Sequence, residues 1–205
     1  MKKIILTFAA VIAFGAANAQ TKKETAKGGE GFSKGDAFVS GALQLGSSKW
    51  DEAGNYKSSA FTIAPKVGYF VTENIAVGAE VSYTSGSTTA FEGATAAKNN
   101  AFGVGAFGRY YFTPASKFSL YGQLGAGYKS VDPNTDVDDN KINSFNVGLG
   151  LGANYFLSSN FSIEAGLGVL DFTSSKGEWT GAETGSTFSF GGDWRAISLG
   201  LNYKF

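Results

Sequence analysis

The sequence predicts an all-β fold, an eight-stranded antiparallel up-and-down barrel. Three observations carry this. After residue 35, apolar residues alternate with small or polar ones at a period of two through most of the chain. A unit of aromatic strand end, short polar turn and apolar strand start recurs with its phenylalanine at Phe70, Phe112 and Phe156. Short and long connections alternate strictly. The short turns therefore gather at one end of the sheet and the long loops at the other, and an even strand count puts both termini at the short-turn end.

Bulk composition agrees. The chain has 205 residues, enough for one barrel of eight short strands. It holds 29 glycines and only 3 prolines, with 15% aromatic and 17% charged residues, which does not suit a disordered chain. The formal net charge is zero and no basic patch stands out, which argues against a nucleic-acid partner. There are no cysteines, so a disulfide framework and a thiolate metal site are excluded.

Residues 1–19 read as an export signal. Lys2 and Lys3 form a positive start, Ile4 to Gly15 a short apolar run, and Ala17-Asn18-Ala19 a small-x-small cleavage site, so the mature chain is expected to begin at Gln20. The run is too short to span a bilayer as a helix, and no other stretch approaches the ~18 apolar residues that would. If the protein lies in a membrane, it lies there as strands. Residues 20–35 carry little apolar surface and are expected as a flexible tail on the short-turn side; residues 36–205 form the barrel domain.

The strands are expected at 36–47, 59–70, 75–85, 101–112, 118–129, 142–156, 161–170 and 194–205. In the first, Val39, Leu43 and Leu45 share a face, and Phe38 falls on the opposite, polar one. In the second, Pro65 interrupts the apolar face and donates no ladder hydrogen bond, so a bulge or distortion is expected. These two features leave the register of strands 1 and 2 open. The remaining strands alternate cleanly, with Val147, Ile163 and Leu167 on the apolar face of strands 6 and 7. The last alternates Ile197, Leu199, Leu201, Tyr203 and Phe205 with Ala196, Ser198, Gly200, Asn202 and Lys204. Short turns fall at 71–74, 113–117 and 157–160; long connections fall at about 48–58, 86–100, 130–141 and 171–193.

The two faces decide what surrounds the barrel. A soluble barrel would place the bulky face inside, but eight strands leave little interior room. The other face is mostly Gly, Ser, Ala and Asn, with only Lys66, Glu80, Arg109, Glu164 and Lys204 charged, too few for a face in water. The apolar face is therefore expected to meet lipid, and closure is what permits strands there.

The terminal aromatic of an alternating strand, the export signal and the repeated aromatic–turn–aromatic units resemble the small bacterial outer-membrane β-barrel family, of the outer-membrane protein A and X type, often described as the outer membrane protein beta-barrel domain or porin family. The resemblance covers nearly the whole mature length. It implies an outer-membrane location in a Gram-negative bacterium, lipid as the surrounding partner, and Leu199, Leu201, Tyr203 and Phe205 as the signal read by the barrel-assembly machinery.

Within the lumen, Lys66, Glu80, Arg109 and Glu164 are expected to form an ion-pair network, with Tyr111, Tyr121 and Gln123 completing a plug. Lys66 and Glu80 flank the turn at 71–74; Arg109 reaches either Glu80 or Glu164. The third long loop carries Asp132, Asp136, Asp138 and Asp139, hard oxygen donors for a cation such as calcium, but without the spacing and distal glutamate of an EF-hand, so a solvated acidic loop is expected instead. The fourth, with Trp179, Phe188 and Phe190, either binds a partner or extends its hairpin. The barrel enzymes of this membrane use a catalytic histidine, and this chain has none. No catalytic, cofactor or metal residue is therefore assigned. The expected role is a barrel that presents loops at the cell surface, with an unknown external ligand. The alternative is a narrow conduit for ions or small solutes.

Overall fold

The computed structural model describes residues 29–50, 56–91, 93–133, 140–192 and 197–205. The expected export signal and residues 20–28 lie outside these. The strands are β1 (Ala37–Trp50), β2 (Tyr56–Phe70), β3 (Ile75–Thr89), β4 (Ala97–Tyr111), β5 (Phe118–Asp132), β6 (Ile142–Phe156), β7 (Phe161–Gly177), β8 (Thr184–Phe190) and β9 (Ser198–Lys204). They form a closed antiparallel barrel of eight positions. Consecutive strands pair from β1 to β7, and β9 joins β7 to β1.

The eighth position differs from expectation. It is shared by two strands, not filled by one run over 194–205: β7 pairs with β9 along Phe161–Gly166 and with β8 along Leu170–Lys176. Residues 191–197 join Phe190 to Ser198 where β7 has only 167–169 between Leu170 and Gly166, and a ladder cannot absorb that excess unbroken. Residues 193–196 lie outside the described set. Thr184–Phe190, part of the fourth loop, thus extends the β7 hairpin.

Most strands run further toward the long-loop end than the apolar alternation does. Their tops are rich in Ser, Thr and Asn, which hold the ladder by cross-strand bonds such as Ser59–Ser87 at 3.1 Å and Ser144–Ser175 at 2.8 Å.

Pro65 causes no register shift. Gly41 faces Pro65 in an unbroken β1–β2 ladder, and on the other side Ile63–Tyr83 and Lys66–Glu80 keep one register across the two pairs that drop out. Proline removes a donor there without adding a residue. The bulge sits in β7 instead, where Leu149 faces Leu170 but Gly150 faces Gly168, leaving Val169 extra. It inverts parity, so Asp171 and Thr173 follow Glu164 and Gly166 on the inner face.

A path perpendicular to the strands climbs the barrel. It steps from Ser162 through Asn202, Ser40, Lys66, Glu80, Gly105, Gly127 and Asn146, and returns to β7 at Thr173 rather than Ser162. Such a stagger tilts the strands by about 40°.

The outer surface is apolar between two aromatic belts. Tyr69, Tyr110, Phe118, Tyr155, Phe161 and Tyr203 mark the short-turn edge; Phe61, Phe102, Tyr128, Phe145, Phe172 and Phe188 mark the other. Val147, Ile163, Leu167, Leu199 and Leu201 lie on this outer face. A 15-residue strand such as β5 rises about 38 Å at that tilt, more than the ~25 Å apolar band of such barrels. The strands therefore project beyond the band on the long-loop side.

Candidate functional site

The inner face at the short-turn end is filled, and Arg109 is its centre. Among the described residues, Arg109 and Glu164 are the most buried charges, 2% and 6% exposed. Arg109 Nη1 lies 2.9 Å from Glu164 Oε2, and the same nitrogen donates to the Tyr111 hydroxyl at 3.2 Å. Nε donates to Gln123 Oε1 at 2.7 Å, from the residue directly opposite on β5. Ser40 on β1 donates its hydroxyl to Glu164 Oε1 at 2.8 Å. Buried charge is tolerated because each member has several partners.

The guanidinium also lies over aromatic rings: Tyr121 at 4.4 Å, Phe107 at 4.9 Å and Phe38 at 5.9 Å from the centroids. Each ring crosses a glycine on the neighbouring strand. Phe38 faces Gly68, Phe107 faces Gly78 and Tyr121 faces Gly152, and each ring occupies the place that glycine's Cβ would take. A narrow barrel has room for large inward rings only where the adjoining position is empty.

Lys66 and Glu80 are directly opposed on β2 and β3, 3.3 Å apart and less buried, with side chains 16% and 37% exposed. They form a pair of their own one layer further from the short-turn end. Arg109 is bonded to Glu164 and not to Glu80, so the four expected charges divide into two pairs.

Below Arg109 lies an aromatic stopper of Phe38, Phe70, Tyr111 and Phe156 with Phe32 at its middle. Phe32 is fully buried, its ring 4.6 Å from Phe70 and 4.9 Å from Phe156. The expected flexibility of residues 29–35 is thereby corrected: the segment is strapped across the barrel mouth. The Phe32 amide donates to the Pro114 carbonyl at 2.7 Å, Gly35 donates to the Phe70 carbonyl at 2.8 Å, and Glu30 meets Lys117 at 2.9 Å. Lys204 of the closing strand donates to the carbonyls of Gly29 and Gly31. Gly31 has φ +111° and its hydrogen faces the Ala115 backbone at the distance where a Cβ would collide, so only glycine fits. Phe38, reached from β1, is the inward aromatic that the β1 pattern left ambiguous.

Sequence reasoning placed Phe107 beside Arg109 on the inner face but missed Phe32, Ser40, Phe70 and Phe156 as members of this site. A glycine placed opposite an inward aromatic was an available signal for Phe38.

Leu199, Leu201, Tyr203 and Phe205 lie on the outer face of the closing strand. The Phe205 amide donates to the Ala37 carbonyl at 3.0 Å, and its ring stands 5.0 Å from Tyr203. Asp136, Asp138 and Asp139 fall outside the described residues, and Asp132 ends β5; among the described residues no cluster of acidic side chains is built to hold a metal.

A family model described as the outer membrane protein beta-barrel domain matches residues 6–205. The chain belongs to this family. Two solved outer-membrane structures share its fold. One is the outer membrane protein OprG of Pseudomonas aeruginosa, 16% identical, with a TM-score of 0.52, covering 86% of this chain and 99% of that one. The other is Neisserial surface protein A, 17% identical, with a TM-score of 0.52, covering 84% and 98%. No curated protein matches the sequence.

Proposed function

We propose that this protein is a closed outer-membrane barrel of a Gram-negative bacterium, exported by its leader and inserted by the barrel-assembly machinery, whose role is to anchor itself in lipid and present its long loops at the cell surface. The observation that supports this reading is the double seal of the lumen. The Arg109–Glu164 pair is enclosed by side chains from β1, β4 and β5, and the Phe32 stopper lies beneath it. A conducting path would have to break both. The projecting strand tops give the loops a rigid base.

This reading assigns no step of catalysis, no nucleic-acid partner and no cofactor. A conduit reading draws on the Lys66–Glu80 pair, which is more exposed than Arg109–Glu164 and lies one layer further from the short-turn end. Single-channel recording of the refolded barrel in a planar bilayer separates the two. The closed barrel gives no steady conductance; a stable, ion-selective conductance of the wild type overturns it.

A further inference from the structure

Above the outer aromatic belt, the outward positions form two regular levels. Two residues beyond the belt stand Ser59, Asn100, Ser130, Asn143, Ser174 and Ser186. Four residues beyond it the side chains change again: Lys57 follows Phe61, Lys98 follows Phe102, Lys141 precedes Phe145 and Lys176 follows Phe172, joined at that level by Ser87, Asp132 and Thr184. Four residues along a strand tilted by about 40° rise about 10 Å. The lysines are all exposed, and none makes an ion pair among the described residues. Lys57 and Lys98 stand on either side of β3, opposite Thr89 and Ser87.

We propose that these four lysines form a docking surface for the phosphate groups of anionic lipid in the outer leaflet. The belt fixes the depth of the hydrocarbon boundary, because aromatic rings settle at that interface. A level of small neutral groups then spans the glycerol or sugar region. The next level meets headgroup phosphates, and there the strand ends place four exposed cations; the carboxylates beside them are Asp132 at the end of β5 and Glu178, whose amide bonds the Lys141 carbonyl and whose Oε1 accepts from Asn143 at 2.7 Å. A lysine is suited to this task as a flexible point charge that accepts any phosphate orientation. Each lysine near an anionic surface adds a modest attraction, so the ring acts through number and not through one built pocket. A surface made only for solubility would scatter its charge; here lysine recurs at one height on four strands' ends while the level below holds none.

The test is lipid retention by the full refolded barrel. Wild type and the variant K57S/K98S/K141S/K176S are reconstituted in vesicles of equal parts phosphatidylcholine and lipid A, extracted in mild detergent, and the lipid held per barrel is read by native mass spectrometry. The serine variant is expected to hold about tenfold less lipid A than wild type at moderate salt, with phosphatidylcholine unchanged. The matching arginine variant retains wild-type lipid A, because charge is conserved. If the serine variant does not fold, K57S/K98S gives the same comparison with a smaller loss. Equal retention of lipid A by serine variant and wild type overturns the proposal, and so does an equal loss of both lipids.

Discussion

Arg109 and Glu164 meet 2.9 Å apart across the lumen although they stand on β4 and β7, three positions apart around the barrel. The pair is completed by Gln123, Tyr111 and Ser40, so it joins four strands, β1, β4, β5 and β7, through side chains alone.

Arg109→Ala therefore leaves Glu164 buried with only Ser40 as partner. We expect a loss of about 3–5 kcal/mol in stability, read as a lower urea midpoint of the refolded barrel. The double variant Arg109→Met with Glu164→Leu removes both charges and is expected to lose much less. An unchanged midpoint for Arg109→Ala, together with altered ion selectivity in a wild type that already conducts, would assign Arg109 to a pore.

Gly152 gives its space to the Tyr121 ring. Gly152→Val forces the ring away from both the glycine site and the guanidinium, at an expected cost of about 1–3 kcal/mol. Combined with Tyr121→Ala, the valine has room, and the double variant should be less damaged than the two single losses added together. Strict additivity in a double-mutant cycle would show that ring and glycine do not share the space.

The strap depends on Gly31. Gly31→Val places a branched side chain against the Ala115 backbone at a positive φ that such residues avoid, and Phe32 should leave the stopper. Trypsin then cuts after Lys34 several-fold faster than in wild type while the barrel stays folded by its heat-modifiable gel shift. Equal cleavage in both proteins counts against a docked strap.

Deleting Phe205 removes an outer-face ring and the amide that bonds Ala37 where the barrel closes. The yield of membrane-inserted, heat-modifiable barrel is expected to fall more than for any substitution in the fourth loop, such as Trp179→Ser. Wild-type yield after the deletion would separate closure from this residue.

Charge-pair choice in the lumen was partly legible. Counted from the turns at one rim, Arg109 lies four residues from Thr113, Glu164 four from Asn160 and Glu80 six from Asn74. Equal counts put Arg109 and Glu164 at one height and leave Glu80 a layer above, opposite Lys66. The same reasoning fails for β7 beyond Leu167, because the extra residue at Val169 inverts parity and nothing in G-L-G-V-L-D marks which residue is extra.

Face, strand order and the ends of the barrel follow from the sequence alone, because a period of two and the length of each connection are local properties that neighbouring strands cannot change. What fills the lumen was decided by tertiary structure. Phe32 lies before the first strand, in a stretch with no periodicity, and becomes buried only because the closed ring offers a mouth of the right width and Lys204, more than 170 residues away, holds the strap's carbonyls. The division of the eighth position into β8 and β9 is likewise set by closure: β7 and β1 fix where the ladder resumes, at Ser198.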